Sequence, residues 1–326
     1  MSVVQESPPA EAAVGTDRDK AEITRAQSDQ RWFYLLIGPW LLGFIALSVV
    51  PLTIGLVVSF TNYNGLDPEA AKWVGARNYR QVLEDPVVRE ALGRTLVFAL
   101  MFIPLNFLIG LTTALLLNAR GRARGFFRAL FYLPSVIPVV GAVFIWRSLW
   151  DENYGLINGL LERISPSLSS PWLAENATEV LVSLALWLGS GAAMIVYLAA
   201  LQNVPGELEE AAVLDGAGYL RRLRHIVLPL LTPVIFYQLI VTVIFSLQVL
   251  VEPLLLAPGS ANVEGARSVP NDNRVFMVYV YQQMFENQRF GYAAALLWML
   301  FILAALLTAA IFLTRRLWVH SETGNL

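Results

Sequence analysis

Six long apolar runs dominate this sequence, and no other feature constrains its fold as much. A helix that crosses a bilayer needs about 20 mostly apolar residues. Stretches near 33–60, 92–118, 129–149, 178–201, 226–257 and 291–314 meet that length, the first reading FYLLIGPWLLGFIALSVVPLTIGLVVSF. Inside a bilayer every backbone N–H and C=O must be satisfied within the chain, so such runs predict helices rather than open strands. Pro39, Pro51, Pro104, Pro134 and Pro138 fall inside the first three runs. Neighbouring helices can rescue the backbone groups a proline frees, so these positions predict bends, not ends. The expected fold is an all-α membrane protein with six transmembrane helices.

Basic residues in short loops set the orientation of such helices. Arg120, Arg122, Arg124 and Arg128 follow the second run, and Arg221, Arg222 and Arg224 follow the fourth. Arg315 and Arg316 end the sixth, and Arg18, Lys20, Arg25 and Arg31 precede the first. The loop at 150–177 instead holds Asp151, Glu152, Glu162 and Glu175 against Arg163. The loop at 61–91 is mixed in charge, with helix-forming character around Tyr79–Leu83, and 257–273 reads as an irregular loop. This asymmetry predicts cytoplasmic N and C termini. Residues 1–31 are polar and lack an apolar signal core, so they read as a disordered cytoplasmic tail rather than a signal peptide. A second cytoplasmic tail is expected at 319–326, leaving 32–318 as the membrane domain.

Composition excludes several function classes. The chain is 56% hydrophobic and 15% charged, against about a quarter charged in soluble domains. A formal net charge of -2, from 23 basic and 25 acidic residues, argues against a nucleic-acid binder. There is no cysteine, and His225 and His320 are the two histidines, so no metal site is expected. The spans contain no G-x-S-x-G elbow, no H-E-x-x-H pair and no convincing paired carboxylates, which argues against an intramembrane enzyme.

One segment is neither apolar nor a simple loop. Pro205 and Gly206 open it, and Glu207, Glu209 and Glu210 follow, where negative charge suits the start of a helix. ELEEAAVL is a strong helix former, and Asp215-Gly216-Ala217-Gly218 stops it with residues suited to a sharp turn. YLRRLRHIVLPLL then leads into the fifth span, with Tyr219, Leu220, Leu223, Ile226 and Val227 near helical spacing. The pattern predicts a helix-turn-helix over 205–229 on the cytoplasmic side.

Residues 210–229 resemble the EAA loop of binding-protein-dependent ABC importer permeases. Glu210, Ala211, Ala212, Asp215, Gly216, Ala217, Ile226, Leu228 and Pro229 fall on that family's pattern, and Leu223 stands where phenylalanine is common. SFTNYNGL, KWVGARNYRQVLEDP, LTTALLLNARGRARGFFRALFYLPSVIPVV, WRSLWDENYGLINGLL and FGYAAALLWMLFILA look like stretches of sugar-type permeases of the MalF and UgpA kind. The resemblance implies a multi-pass protein of the bacterial inner membrane that imports a sugar, polyol or glycerol phosphate. It implies a second permease subunit as heterodimer partner, two ATPase subunits and an extracytoplasmic substrate-binding protein, with membrane lipid around this chain. The chain lacks a G-x-x-x-x-G-K-[ST] phosphate loop, so it holds no cofactor, and ATP and Mg are expected on the ATPase partners. In this family the EAA loop docks on the ATPase, which implies contact through Glu210, a close fit at Ala211 and Ala212, and a tight turn at Gly216.

Polar residues within spans are costly and are often functional. Gln248 and Glu252, one helical turn apart if the fifth span is continuous, are candidates for the translocation path. Asn106, Tyr237, Gln238 and Trp187 are others, with Ser190 nearby. Interhelical hydrogen bonding explains the same residues without substrate contact. A self-sufficient secondary transporter is the rival reading; it needs substrate and ion sites within one chain.

Overall fold

The computed structural model describes residues 33–119, 123–165, 171–257 and 269–319. The tail expected at 1–31, Arg120 and Arg122, the middle of the 257–273 loop and all but Val319 of the 319–326 tail lie outside the described residues. The described residues contain five helices long and apolar enough to cross a membrane, or six if one bent pair counts as a single span. The chain divides into two compact units, one ending at Val58 and one beginning at Ser59.

Helix α1, Phe33–Ser59, accounts for the described part of the first unit. Its turn at Ile45–Val49 is π-helical, with the Val50 N–H bonded to the Ile45 carbonyl, and Pro51 follows. The same arrangement recurs at Leu223–Val227, where the Leu228 N–H bonds the Leu223 carbonyl ahead of Pro229. A proline lacks an N–H and its ring crowds the carbonyl four residues back. A widened turn just before it takes up both demands and keeps the helix running.

In the second unit, α2 (Arg77–Glu84) leads directly into α3 (Pro86–Asn118). Asp85 between them is extended, at φ -72° and ψ 115°, as a residue before proline prefers. Its Oδ1 accepts the Val87 N–H at 2.9 Å, and Pro86 fills the first helical position, where no N–H is needed. Asp85 Oδ2 accepts hydrogen bonds from Tyr279 Oη at 2.7 Å and Tyr292 Oη at 2.8 Å. Arg289 stacks 4.2 Å over the Tyr292 ring and donates to Gln81 Oε1 and Gln283 Oε1. One carboxylate thus caps α3 and ties two other segments, through Tyr279 and Tyr292, to its start.

The third predicted span is a bent pair: α4 (Arg124–Val136) meets α5 (Val139–Leu149) at 98°. The expected single helix over 129–149 fails because Pro138 keeps Ile137 out of the helical region, at φ -69° and ψ 130°. Ser135 Oγ donates to the Leu188 carbonyl at 2.9 Å and holds the bend against the fourth span. A short helix, α6 (Leu156–Ile164), precedes that span, α7 (Ala177–Gln202).

Small residues set the helix crossings, as expected where lipid provides no hydrophobic drive between helices. A Cβ on Gly110 of α3 would lie 2.9 Å from the Ala193 Cβ of α7, and a Cβ on Gly191 would strike the Phe131 carbonyl of α4. Phe98 and Phe102 stack in the core between α3 and α7, and Tyr197 packs edge-on against Phe107. After α7 come α8 (Gly206–Leu214) and α9 (Tyr219–Leu247).

The fifth predicted span, 226–257, is interrupted. α9 ends at Leu247, and α10 (Val251–Leu256) begins after Gln248, Val249 and Leu250. A continuous helix would place the Pro253 ring against the Val249 carbonyl; restarting at Val251 moves Pro253 into a first turn, where it is tolerated. The run is apolar on both sides of Gln248 and Glu252, so mean hydropathy extends one helix across this break. A buried helix missed from the sequence, α11 (Phe276–Tyr281), follows with a π turn at Gln282–Glu286. Its Phe276 N–H donates to Thr95 Oγ1 of α3 at 2.9 Å. The last span, α12, is Phe290–Trp318.

Candidate functional site

Helix α8 and its turn are specified residue by residue. Pro205 is extended at φ -61° and ψ 121°, so the helix starts at Gly206, with Glu207 and Glu209 in the first turn. At the other end Gly216 takes φ +77°, a conformation that strains any side-chain-bearing residue. The Gly216 N–H bonds the Val213 carbonyl at 3.0 Å, and the Ala217 N–H bonds the Ala212 carbonyl at 2.9 Å. This is a Schellman cap, which satisfies the carbonyls a helix end leaves open. Asp215 is the C-cap residue, and its N–H bonds the Ala211 carbonyl at 3.0 Å. Beyond the turn, α9 starts from Gly218, and Arg222 Nη1 reaches back to the Ala217 carbonyl at 3.3 Å.

The turn is closed by its own hydrogen bonds and buries little. No residue of α8 is buried, and Glu210 and Ala211 are exposed. Leu214 is 89% exposed and Leu220 77%, with Val213 and Tyr219 also exposed. These four apolar residues flank the Gly216 turn; sequence reasoning placed Tyr219 and Leu220 on the helix leading into the fifth span and assigned contact to none of the four. The signal was present: apolar residues on both sides of a turn that the chain's own core does not cover. Leu223, Ile226, Leu228 and Pro229 are half-buried, and Val227 is buried with Leu231 against α3 and α7.

The intramembrane candidates separate into groups. Asn106 and Gln238 line one cavity of about 270 Å³ between α3, α7 and α9, together with Tyr197, Phe107 and Thr242. Asn106 is 3% exposed, and its Oδ1 is buried without a hydrogen-bond partner. A buried polar atom left unpaired costs about 1–3 kcal/mol, so it needs a reason to be there. Tyr237, the neighbour of Gln238, is exposed and lies outside this cavity.

Gln248 and Glu252 do not share a helix face. The break after Leu247 leaves Gln248 exposed, whereas Glu252 is buried in the first turn of α10. Phe245, just before the break, packs 5.6 Å from Phe102. Phe102 lies about 24 Å along α3 at a rise of about 1.5 Å per residue, so the break falls within the span. Irregular backbone at that depth is tolerated where it is buried in protein or lines a wet cavity. Trp187 is held in the core by stacking on Trp146 at 4.8 Å, whose Nε1 donates to Ser183. Ser190 is half-buried on the same helix.

The family model described as binding-protein-dependent transport system inner membrane component matches residues 106–319. YesP of Bacillus subtilis, a probable ABC transporter permease protein, is 32% identical over 295 residues, covering 89% of this chain and 92% of its own. AmyD of Thermoanaerobacterium thermosulfurigenes, a probable starch degradation products transport system permease protein, is 28% identical, covering 87% and 94%. A solved bacterial alginate ABC transporter, in complex with alginate pentasaccharide-bound periplasmic protein, contains a chain of the same fold. Its TM-score is 0.77 at 21% identity, covering 90% of this chain and 97% of that one.

Proposed function

Because the chain belongs to the binding-protein-dependent transport system inner membrane component family, we propose that it is one permease subunit of an ATP-driven importer. It forms half of the path for a sugar, polyol or related carbohydrate that an extracytoplasmic binding protein delivers. Relatives named for starch degradation products, arabinooligosaccharides and multiple sugars support the substrate class. The second half comes from a partner permease, and two ATPase subunits hydrolyse ATP with Mg; this chain has no catalytic role. N and C termini, and the 205–229 loop, lie on the cytoplasmic side.

The observation that carries this reading is the Schellman-capped helix α8, closed on itself yet uncovered by its own core. A rigid element with its apolar residues exposed is built to be covered by a partner. Glu210 supplies a polar contact to the ATPase, Ala211 and Ala212 permit close approach, and Val213, Leu214, Tyr219 and Leu220 supply the apolar contact. Movement of the ATPase passes through Gly216 and Ala217 into α9, whose widened turn at Leu223–Val227 sits next to the loop. Leu223, Ile226, Leu228 and Pro229 seat that end of α9 against the bundle.

Within the spans, Asn106 and Gln238 offer hydrogen bonds to a hydroxyl-rich solute, and the exposed Gln248 marks where the path passes the interrupted fifth span. Trp187 has a packing role through its stacking on Trp146, while Glu252, buried in α10, and the exposed Tyr237 lie outside the cavity that Asn106 and Gln238 line. As the chain has no cysteine, Leu214→Cys creates a unique thiol. Bifunctional cross-linking of that variant in the assembled complex should trap the ATPase subunit; a product containing only the permeases would defeat the docking assignment. Asn106→Leu removes the unpaired buried oxygen. It should leave the melting temperature unchanged or higher while lowering uptake about tenfold, as loss of a built hydrogen bond to substrate implies. Unchanged uptake in a vesicle assay takes Asn106 off the path.

A further inference from the structure

On the outside of the bundle, α3, α9 and α12 leave a groove of about 350 Å³ between them. Ala99 and Ile103 of α3, Val243 of α9, and Leu307 and Ile311 of α12 line it. Two hydroxyls also face it, and both are already bonded: Ser246 Oγ donates to the Val243 carbonyl and Thr314 Oγ1 to the Ile311 carbonyl, each at 2.8 Å. The groove is therefore fit for hydrocarbon and for no polar solute. A helix about 10 Å across fills this volume in less than one turn, which favours a thin occupant over a packed span.

The end of the groove is of different chemistry. Arg315 lies four residues beyond Ile311, so it continues the row of side chains that lines the groove. Arg315 and Arg316 are both exposed in the last turn of α12. Trp318 follows, exposed, with Nε1 donating to Thr314 Oγ1 at 3.4 Å. Tryptophan is enriched at the boundary between hydrocarbon and headgroups, and paired guanidinium groups suit a phosphate.

We propose that this groove is a phospholipid site, with an acyl chain lying along α3, α9 and α12 and an anionic headgroup phosphate held by Arg315 and Arg316. The site is independent of the solute path, which lies among Asn106, Gln238 and Gln248. A lipid bound there fills the seam between three spans and ties the end of α12 to the headgroup layer.

Native mass spectrometry of the full chain, released from mild detergent with added dioleoyl phosphatidylglycerol or dioleoyl phosphatidylcholine, tests this. One phosphatidylglycerol should be retained, with phosphatidylcholine retained much less. Arg315→Gln with Arg316→Gln should lower phosphatidylglycerol retention about tenfold, as expected for losing two basic headgroup contacts. Ala310→Phe, which puts a ring into the groove from an exposed position, should abolish retention while leaving helix content unchanged. Glycerol phosphate without acyl chains should not compete. Equal retention in both variants, competition by glycerol phosphate, or a lipid-free dimer that Ala310→Phe splits would each overturn the assignment.

Discussion

Gly216→Pro is expected to abolish the stimulation of ATP hydrolysis by loaded binding protein while the chain still inserts and assembles. The effect is large because two things fail together. Proline cannot adopt the φ of +77° at this position, and it removes the N–H that bonds the Val213 carbonyl. Breaking the Schellman cap costs about 1–3 kcal/mol locally, and no side chain of α8 is buried to hold the helix afterwards. Under the proposed coupling role, α8 then bends before it can move α9. Gly216→Ala keeps the N–H and should retain partial stimulation. Stimulation at the wild-type level in the proline variant, measured on the assembled complex, would remove the rigid turn from the mechanism.

Asp85→Ala should produce the largest loss of stability of any single change considered. The substitution removes the cap of α3 and leaves Tyr279 and Tyr292 without their acceptor. Together these are worth about 3–5 kcal/mol, whereas Tyr279→Phe, which deletes one bond with its donor, should cost about 1 kcal/mol. The same site predicts an acid limit. Burial tends to raise the Asp85 carboxyl, but the Tyr279 and Tyr292 hydroxyls and the Val87 and Val88 N–H groups outweigh it and hold the group below its ordinary value of 3.8. A depressed folded value means that the stabilisation is complete above the unfolded carboxylate's titration and is lost as pH falls through the lower folded value. Thermal melts of the solubilised chain against pH should therefore show an acid-side decline that Asp85→Asn largely removes. A decline of the same size in Asp85→Asn would assign it to other carboxylates.

Much of this architecture is legible in the sequence because membrane burial imposes a length requirement that hydropathy measures directly. The ends of α1, α7 and α12 fall within a few residues of the runs at 33–60, 178–201 and 291–314. Hydropathy fails where geometry changes but composition does not. Pro138 turned an expected kink into a 98° bend, and Pro253 moved a helix start to Val251 inside a continuous apolar run. That second break separated Gln248 from Glu252, which sequence spacing had placed on one face. Helix α11 was overlooked because it is too short to span, and its Tyr279 only acquires meaning beside Asp85. Asp215, Gly216 and Ala217 announced a tight turn because only backbone chemistry was required there. The apolar residues flanking that turn were visible in the sequence, but which of them stay uncovered depends on the packing of the whole bundle, so the exposure of Leu214 and Leu220 came from the structure.

The central claim is that this chain conducts solute under the control of an ATPase it does not contain. The direct measurement is uptake of a labelled oligosaccharide into vesicles bearing the chain with its co-purifying subunits, supplied with binding protein and internal ATP. The account predicts accumulation that requires ATP and binding protein together and that disappears in Gly216→Pro. Accumulation that persists without ATP, driven by an ion gradient through this chain alone, would contradict it.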